Sequence, residues 1–239
     1  MNNIFNTFCG KLPNNINEVL PINEKKMVTF LNPFSIYMAS EHDDCYKNFD
    51  TIASDGTVPL ILLNIFYPKL KTQRFSFDMT SVAKELFLHC VENKLSIYFL
   101  GSKQKEIEEF IVLIQNEFPG LQIVGYNNGY IYGDEEKVFK SIIDLDPDVL
   151  VVGMGTPMQD INAVKIKQKG FKGSIYTCGG FFHQTTKNIN YYPNWINKFN
   201  LRGFYRMYKE PYVIKRVLIY YPRFVLYFSK YLLSVRKQT

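Results

Sequence analysis

Two short segments of this chain combine residue types that phosphate and sugar chemistry uses. Asp55 lies in Ala53-Ser54-Asp55-Gly56-Thr57, just before an apolar segment. An aspartate there either caps a helix or, partly desolvated at a strand end, accepts a hydroxyl proton as a general base. Gly153-Met154-Gly155 follows an apolar run, and such paired glycines either form a plain tight turn or let backbone amides approach a phosphate or ribose. Both readings stay open on these residues alone.

Three further polar residues stand close to predicted loops. Gln159 and Asp160 follow Pro157 just after the glycine turn. Such a pair can read sugar hydroxyls or a uracil edge by hydrogen bonds, although Asp160 also suits the start of a helix. His183 follows Phe181-Phe182, which favours a partly buried histidine over a catalytic one.

Apolar runs and helical periodicity alternate through the chain, and they define the elements that must position these residues. Strands are predicted at Met27–Tyr37 (running into a turn at Asn32-Pro33), Leu95–Leu100, Leu121–Gly125, Val149–Val152 and Ile175–Thr177. Helices are predicted at Ser81–Glu92, Lys105–Phe118, Val138–Ile143 and Ala163–Lys169. Pro59–Phe66 has the length of either element, and its pattern does not separate them.

Short strands that alternate with helices predict an α/β fold: a Rossmann-like, mostly parallel sheet flanked by helices. In such a sheet, ligands bind beyond the carboxyl ends of the strands. The loops expected there are Asn32-Pro33, Ser54-Asp55-Gly56, Gly101-Ser102, Gly153–Gly155 and Gly179-Gly180. Asp55, Gly153, Gly155 and Gln159 are therefore expected at one edge of the sheet.

Composition excludes several classes of protein. The chain has 239 residues, of which 46% are hydrophobic, so it can bury a substantial core and is too apolar to be disordered. The four cysteines are far apart, without a CxxC pair or a histidine at ligand spacing, so free thiols in a reducing cytoplasm are expected and a zinc site is not. Neither a signal peptide nor an apolar run long enough to span a membrane is expected.

The positive charge is concentrated at the C-terminus. The formal net charge is +6, and basic residues far outnumber the single acid, Glu210, from Arg202 onwards. Tyr220–Leu233 interleaves these cations with aromatic and aliphatic residues, which suits a segment lying on an anionic membrane surface. A basic helix packed on the core is the alternative. We expect a catalytic domain at 1–200 and a basic, aromatic, helical, membrane-associating appendage at 201–239.

A set of motifs in fixed order carries a family resemblance that covers residues 25 to 220. The motifs are TFLNPFS (29–35), ASDGTVP (53–59), RFSFDMTSVA (74–83), YFLGSKQKEIEEF (98–110), FPGLQIVGYNNGY (118–130), PDVLVVGMGTPMQD (147–160), CGGFF (178–182) and RMYKEPYVIKR (206–216). With these motifs in this order, the chain resembles the WecG/TagA/CpsF glycosyltransferases, which form glycosyltransferase family 26.

The resemblance implies an inverting, metal-independent enzyme without a cofactor. It would transfer a hexose, of N-acetylmannosamine type or another, from a UDP-sugar to a polyprenyl-diphosphate-linked sugar during synthesis of a capsule, exopolysaccharide or teichoic-type polymer. Asp55 matches the family's catalytic base, and Gln159 a donor-binding residue. Thr29 and Asn32 match the block that shapes the pocket. Arg206 and Arg216 match arginines that close over the site and meet the diphosphate.

The resemblance has departures, and other classes of function remain to be weighed. His183 replaces the family's usual aspartate, Tyr212 and Val213 stand where an arginine is frequent, and Phe77 replaces a glycine. These changes favour the capsule branch over the teichoic-acid branch. A dehydrogenase or methyltransferase would need a G-x-G-x-x-G turn that the chain lacks. A non-enzymatic nucleotide- or membrane-binding module would leave the ordered loop motifs unused.

The expected location and partners follow from the resemblance and from the tail. We expect a cytoplasmic protein bound peripherally to the inner face of the cell membrane, with the UDP-sugar, the lipid-linked acceptor and anionic lipid as partners. Nucleic acid is not an expected partner. Homo-oligomerisation stays open.

Overall fold

The fold is built around one twisted sheet with helices on both of its faces. The computed structural model describes residues 2–21, 24–67, 73–198 and 201–236. Six strands, all parallel, lie in the order β2-β1-β6-β5-β3-β4. They are β1 (Met27–Leu31), β2 (Thr51–Ser54), β3 (Ser96–Gly101), β4 (Gln122–Asn127), β5 (Val149–Gly153) and β6 (Ser174–Thr177). The predicted α/β class with a parallel sheet is confirmed.

Twelve α-helices are described, together with a 3₁₀ turn at Ile16–Glu18. Those before β5 are α1 (Asn2–Gly10), α2 (Pro33–Ala39), α3 (Asp43–Tyr46), α4 (Thr57–Phe66), α5 (Val82–Glu92), α6 (Gln104–Glu117) and α7 (Glu135–Leu145). Those after it are α8 (Met158–Gln168), α9 (Phe181–Lys187), α10 (Asn194–Lys198), α11 (Arg202–Lys209) and α12 (Tyr212–Arg236). Sequence patterns did not predict α1, α2, α3, α9 or α10.

The structure corrects one predicted strand and decides the type of one undecided segment. The strand expected at Met27–Tyr37 ends at Leu31, because Asn32 caps a new helix by accepting the Ser35 amide and Pro33 occupies its first turn. Pro59–Phe66, open between strand and helix, belongs to α4. The other predicted strands and helices are confirmed within a few residues at each end.

The two faces of the sheet bury separate apolar clusters, and this separation creates the crevice where ligands bind. Side chains of α1–α4, α7, α8 and α12 pack on one face, and those of α5, α6 and α9 pack on the other. The helix after β5 therefore leaves toward one face, and the helix after the adjacent β6 leaves toward the opposite face. Such a divergence opens a crevice beyond the carboxyl ends of the strands.

The C-terminal helix α12 packs along the first of these faces. Phe224, Phe228, Tyr231 and Leu232 are buried at helical spacing. Phe228 lies edge-on to Phe8 of α1, and the backbone of α12 contacts α2 and α4. Cations and other apolar side chains occupy the remaining surface of the helix. The domain boundary expected at residue 200 and the cation Lys237 lie outside the described residues.

Candidate active site

Two cavities meet at the carboxyl edge of the sheet, and Asp55 lines both. The sheet-edge cavity, of about 130 Å³, lies over the loops that follow β1, β5 and β6. The helix-side cavity, of about 270 Å³, lies among α4, α11 and α12. The two cavities share Asn32, Asp55, Tyr192 and Arg206. Asp55 therefore faces two adjoining binding spaces of different composition.

The Asp55 carboxylate is held by basic and hydroxyl groups and does not cap a helix. The N-cap of α4 is Gly56, without a side-chain cap. Burial raises the pKa of Asp55, whereas a hydrogen bond from Ser76 and the charges of Arg74 and Arg206 oppose that rise. A desolvated carboxylate with a raised pKa is a better proton acceptor than an exposed one. The arrangement therefore favours the general-base reading of the sequence over the capping one.

The sheet-edge cavity is lined by glycines of two loops and by many polar side chains, among them the amide of Gln159. Gly155 adopts a φ of 77°, which suits glycine, and lines the cavity together with Gly179 and Gly180. Gln159 is 2% exposed, and its Oε1 accepts the Gly179 amide at 2.9 Å. Gln159 thereby ties the loop after β5 to the loop after β6. A phosphate or a polar ring edge would find backbone donors at this position.

Two arginines of the C-terminal helices reach the sheet-edge cavity, as the resemblance implied. Arg206 of α11 donates from Nε to Glu210 at 3.2 Å, and Glu210 also accepts the hydroxyls of Tyr191 and Tyr212. Glu210 is 3% exposed, so this buried carboxylate fixes the direction of Arg206. Arg216 of α12 stacks over the ring of Phe34 at 4.7 Å.

The helix-side cavity combines guanidinium groups with apolar walls. Arg74, Arg202 and Arg206 line it on one side. Arg202 pairs with Asp78 and Thr80, and its guanidinium lies 4.7 Å from the ring centre of Tyr192. The apolar walls are formed by Pro33, Val58, Phe204, Met207, Val217 and Tyr221. Such a space suits a ligand that is anionic at one end and apolar at the other.

Three of the residues singled out in the sequence lie outside both cavities. Thr29 is fully buried, and its hydroxyl donates to Asp160 Oδ1 at 2.6 Å and pairs with Thr177. Gly153 lies where a Cβ would come within 2.7 Å of Cys178 Sγ, so close packing explains that glycine. His183 is partly buried and lies 3.0 Å from Glu106 Oε1 on α6. These residues support the edge from beneath or from the side.

The buried carboxylate of Asp160 belongs to the same support. Besides Thr29, it accepts the hydroxyl of Tyr46 at 3.0 Å, and it is fully buried. Burial raises its pKa to about 6 against the opposing hydrogen bonds. Asp160 lies in the first turn of α8, as the alternative reading of the sequence had it.

Sequence reasoning did not single out Arg74, Asp78, Tyr192 or Arg202, although all four line one cavity or both. Arg74 and Asp78 lie in the RFSFDMTSVA block, and the spacing of its residues does not indicate which side chains face a cavity. The available signal was the presence of two arginines, one aspartate and one tyrosine on separate segments of a chain that also carries Asp55 at the end of a strand. Only the fold brings those segments together.

This is an α/β protein with a cleft at the carboxyl ends of a parallel sheet, lined by two aspartates, Asp55 and Asp78, and by several arginines. Within the part of the chain that the structure describes, no three acidic, histidine or cysteine side chains are placed to hold a metal ion. No described helix combines the length and the apolar character needed to cross a bilayer. The side chains that line the two cavities include carboxylates, which can exchange protons, and guanidinium groups, which can bind anions.

Comparison with known proteins places the chain in a family. The model of the WecG/TagA/CpsF glycosyl transferase family matches residues 3–238, so the chain belongs to that family and is a glycosyltransferase. It is 39% identical over 204 residues to UDP-Gal:alpha-D-GlcNAc-diphosphoundecaprenol beta-1,4-galactosyltransferase of Shigella boydii, covering 84% of this chain and 85% of the relative.

A second relative acts with a different sugar. The chain is 26% identical over 215 residues to N-acetylglucosaminyldiphosphoundecaprenol N-acetyl-beta-D-mannosaminyltransferase of Bacillus subtilis (strain 168). That match covers 89% of this chain and 79% of the relative. Both relatives are named for a lipid-diphosphate acceptor, and they differ in the sugar that is transferred.

Proposed function

We propose that this glycosyltransferase moves a hexose from a UDP-sugar to an N-acetylglucosamine carried on undecaprenyl diphosphate, during synthesis of a bacterial surface polysaccharide. The observation that carries the proposal is the position of Asp55, between a polar cavity lined with glycines and a cavity that is basic at one side and apolar at the other. The names of both relatives support the acceptor, and the name of the galactosyltransferase supports the UDP-sugar donor.

The proposed reaction is a single displacement that inverts the anomeric centre. A hydroxyl oxygen of the acceptor sugar forms a bond to the anomeric carbon of the donor as the bond from that carbon to the β-phosphate oxygen breaks. The hydroxyl proton passes to the Asp55 carboxylate, and the bonding electrons leave with UDP. A general base of this kind contributes about 10²–10⁴-fold to the rate.

We assign the UDP-sugar to the sheet-edge cavity. Backbone amides at Gly155 and Gly180 and the side-chain NH₂ of Gln159 suit a diphosphate and a uracil edge. Arg206 and Arg216 would stabilise the charge that develops on the leaving diphosphate. Because these groups can supply that stabilisation, we expect activity to persist in the presence of EDTA. A loss restored by Mg²⁺ would contradict this assignment.

The relatives leave two donor sugars to distinguish. The higher identity, 39%, is to a protein named for galactose, and the lower, 26%, to one named for N-acetylmannosamine. UDP-galactose is therefore the first donor to test. The acceptor sugar common to both names is N-acetylglucosamine.

We further propose that residues 201–239 form an appendage that holds the enzyme on the inner face of the cell membrane. Phe204, Tyr208 and Leu218 are 69%, 80% and 69% exposed, and Arg223 and Lys230 lie on the exposed surface of α12. Apolar and basic side chains together favour an anionic bilayer. Co-sedimentation with phosphatidylglycerol vesicles, but not with phosphatidylcholine vesicles, is the expected result. Equal binding to both would count against the electrostatic part.

The decisive experiment measures UDP release with a panel of UDP-hexoses and a lipid-diphosphate-linked N-acetylglucosamine acceptor. The wild type is compared with Asp55→Asn and with Asp144→Asn, an exposed aspartate of α7 that serves as the control. Acceptor-dependent release that Asp55→Asn lowers at least about 10²-fold, and that Asp144→Asn leaves intact, supports the proposal. Release that Asp55→Asn does not change would assign the base to another residue. No release with any donor would reject these substrates.

A further inference from the structure

A shallow apolar groove runs over the surface between α4 and α12. Its walls are formed by Val58 of α4 and by Leu218, Tyr221, Val225 and Leu226 of α12. Leu218 and Leu226 are 69% and 53% exposed, so this part of α12 presents aliphatic side chains to the surroundings. Apolar side chains that line a continuous depression on a surface indicate a ligand or an interface.

The groove is continuous with the helix-side cavity. Val58, Val217 and Tyr221 line both of them. On α4 the groove is lined by Val58, three residues after Asp55 in the chain. On α12 it extends from Val217 to Leu226, which corresponds to about 13 Å of helix. The groove therefore leads away from the Asp55 carboxylate along the outside of the protein.

Two arginines line the cavity into which this apolar path leads. Arg74 and Arg202 both line the helix-side cavity. Arg202 is oriented by its contacts to Asp78 and Thr80. Burial lowers the pKa of Arg74, and the charge of Arg202 lowers it further. Two neighbouring guanidinium groups in a partly desolvated space bind a dianion well, because the ligand removes their mutual repulsion.

We propose that this groove holds the first part of the acceptor's polyprenyl chain, and that Arg74 and Arg202 bind the acceptor's diphosphate. The inference rests on the proposed function and adds to it the path by which the lipid enters. The order along the path matches the order within the acceptor: an apolar chain, a diphosphate, and then a sugar whose hydroxyl faces Asp55. The partly exposed groove would let the rest of the chain stay in the bilayer.

The first test separates the chain from the head group. Val225→Asn alters the groove, and Ile219→Asn alters α12 outside it; the two side chains are 37% and 36% exposed, so the pair is matched. Each variant is assayed in detergent with a long-chain acceptor and with an acceptor that carries the same diphosphate and sugar on a single short alkyl chain.

Val225→Asn is expected to raise KM for the long-chain acceptor about tenfold, because it removes apolar contact with the chain. It should leave KM for the short-chain acceptor and for the UDP-sugar within about twofold, the ordinary range for a surface change. Ile219→Asn should leave all three values unchanged. An equal effect of the two variants on the long-chain acceptor would overturn the groove assignment and indicate general contact with micelles or with another partner.

The second test addresses the diphosphate. Inorganic pyrophosphate and a short isoprenoid diphosphate are used as inhibitors against each substrate in turn. Both should compete with the acceptor, and Arg202→Gln should weaken both about tenfold, whereas Arg202→Lys should restore part of the effect. Competition with the UDP-sugar alone, or inhibition unaffected by Arg202→Gln, would overturn the assignment.

The two tests also separate this inference from the proposed function. Wild-type transfer to the short-chain acceptor supports the proposed function whatever happens in the groove. An absence of transfer to either acceptor would reject the proposed function itself.

Discussion

The two cavities that meet at Asp55 are built in different ways. The sheet-edge cavity lies over the loops that follow β1, β5 and β6, where Gln159 ties two of these loops together, and polar side chains make up most of its lining. The helix-side cavity is made by side chains from α4, from the segment around Arg74, and from α11 and α12. One is fixed by hydrogen bonding within the sheet, and the other depends on the docking of distant helices.

The two cavities form two halves of the site. The sheet-edge half is held rigidly by hydrogen bonds, and the helix-side half is assembled from segments that are distant in the chain. The buried network of Asp160, Thr29 and Tyr46 supports the sheet-edge half from below. The helix-side half depends on Glu210, which orients Arg206, and on the aromatic side chains by which α12 packs on the core. Arg206 lines both cavities, so a substitution of this residue should affect both halves of the site.

The largest effect is expected for Arg206→Gln. Since this guanidinium lines both cavities, its loss should lower kcat and raise KM for both substrates, with kcat/KM falling about 10²–10³-fold. Initial rates over a grid of donor and acceptor concentrations measure all three values. Lys140→Gln, which removes an exposed cation of α7 away from both cavities, is the control and should have little effect. An increase in KM for one substrate alone would show that Arg206 serves a single cavity.

A second effect concerns the support of the sheet-edge half. The folded state holds the Asp160 proton up to a pKa of about 6, whereas the unfolded chain releases it near the ordinary aspartate pKa of 3.8. Between these values the folded state binds more protons, so a rise in pH through this window favours unfolding, by about 3 kcal/mol from this group in total. Urea unfolding at pH 4 and pH 7 measures the free energy of unfolding. This loss between the two pH values is expected in the wild type and not in Asp160→Asn.

The matched variant Asp144→Asn should keep the pH dependence of the wild type, because Asp144 is exposed. Equal pH dependence in Asp160→Asn and the wild type would mean that Asp160 is ionised in the folded protein throughout this window. The buried network would then rest on a charged group.

The smallest effect is expected for Gln159→Ala. Removal of this amide loosens the link to Gly179 and takes away a donor from the sheet-edge cavity. We expect KM for the UDP-sugar to rise about tenfold with little change in KM for the acceptor, a loss typical of one or two hydrogen bonds. Gln168→Ala, exposed at the end of the same helix, is the control. A rise in KM for the acceptor instead would reverse the assignment of the two cavities.

Much of the sheet-edge half could be predicted from the sequence. Apolar runs such as Val149–Val152 and helical spacing such as Ser81–Glu92 predicted the alternation of strands and helices, because parallel strands are buried on both faces. From the alternation follows the edge at which ligands bind. Asp55, Asn32, Gly155 and Gln159 were expected at that edge, and all four line a cavity there.

The helix-side half was harder to predict, because its residues are far apart in the chain. The tail was recognised as basic and aromatic, but periodicity did not indicate which side of α12 packs on α1, α2 and α4 and which side stays exposed. Thr29 and Gly153, selected with the site, have roles in buried packing that only the coordinates reveal. The pairing of Arg202 with Asp78, 124 residues apart, has no signature in the sequence.

Local periodicity and the order of motifs were enough to predict the fold class, the family and the edge of the sheet where a site is expected. Packing between distant segments sets which side chains share a cavity and which carboxylates are buried, and it makes an apolar groove on α12 continuous with the helix-side cavity. Desolvation and charge pairing act through space over a few ångströms. They are therefore set by packing between segments that are distant in the chain.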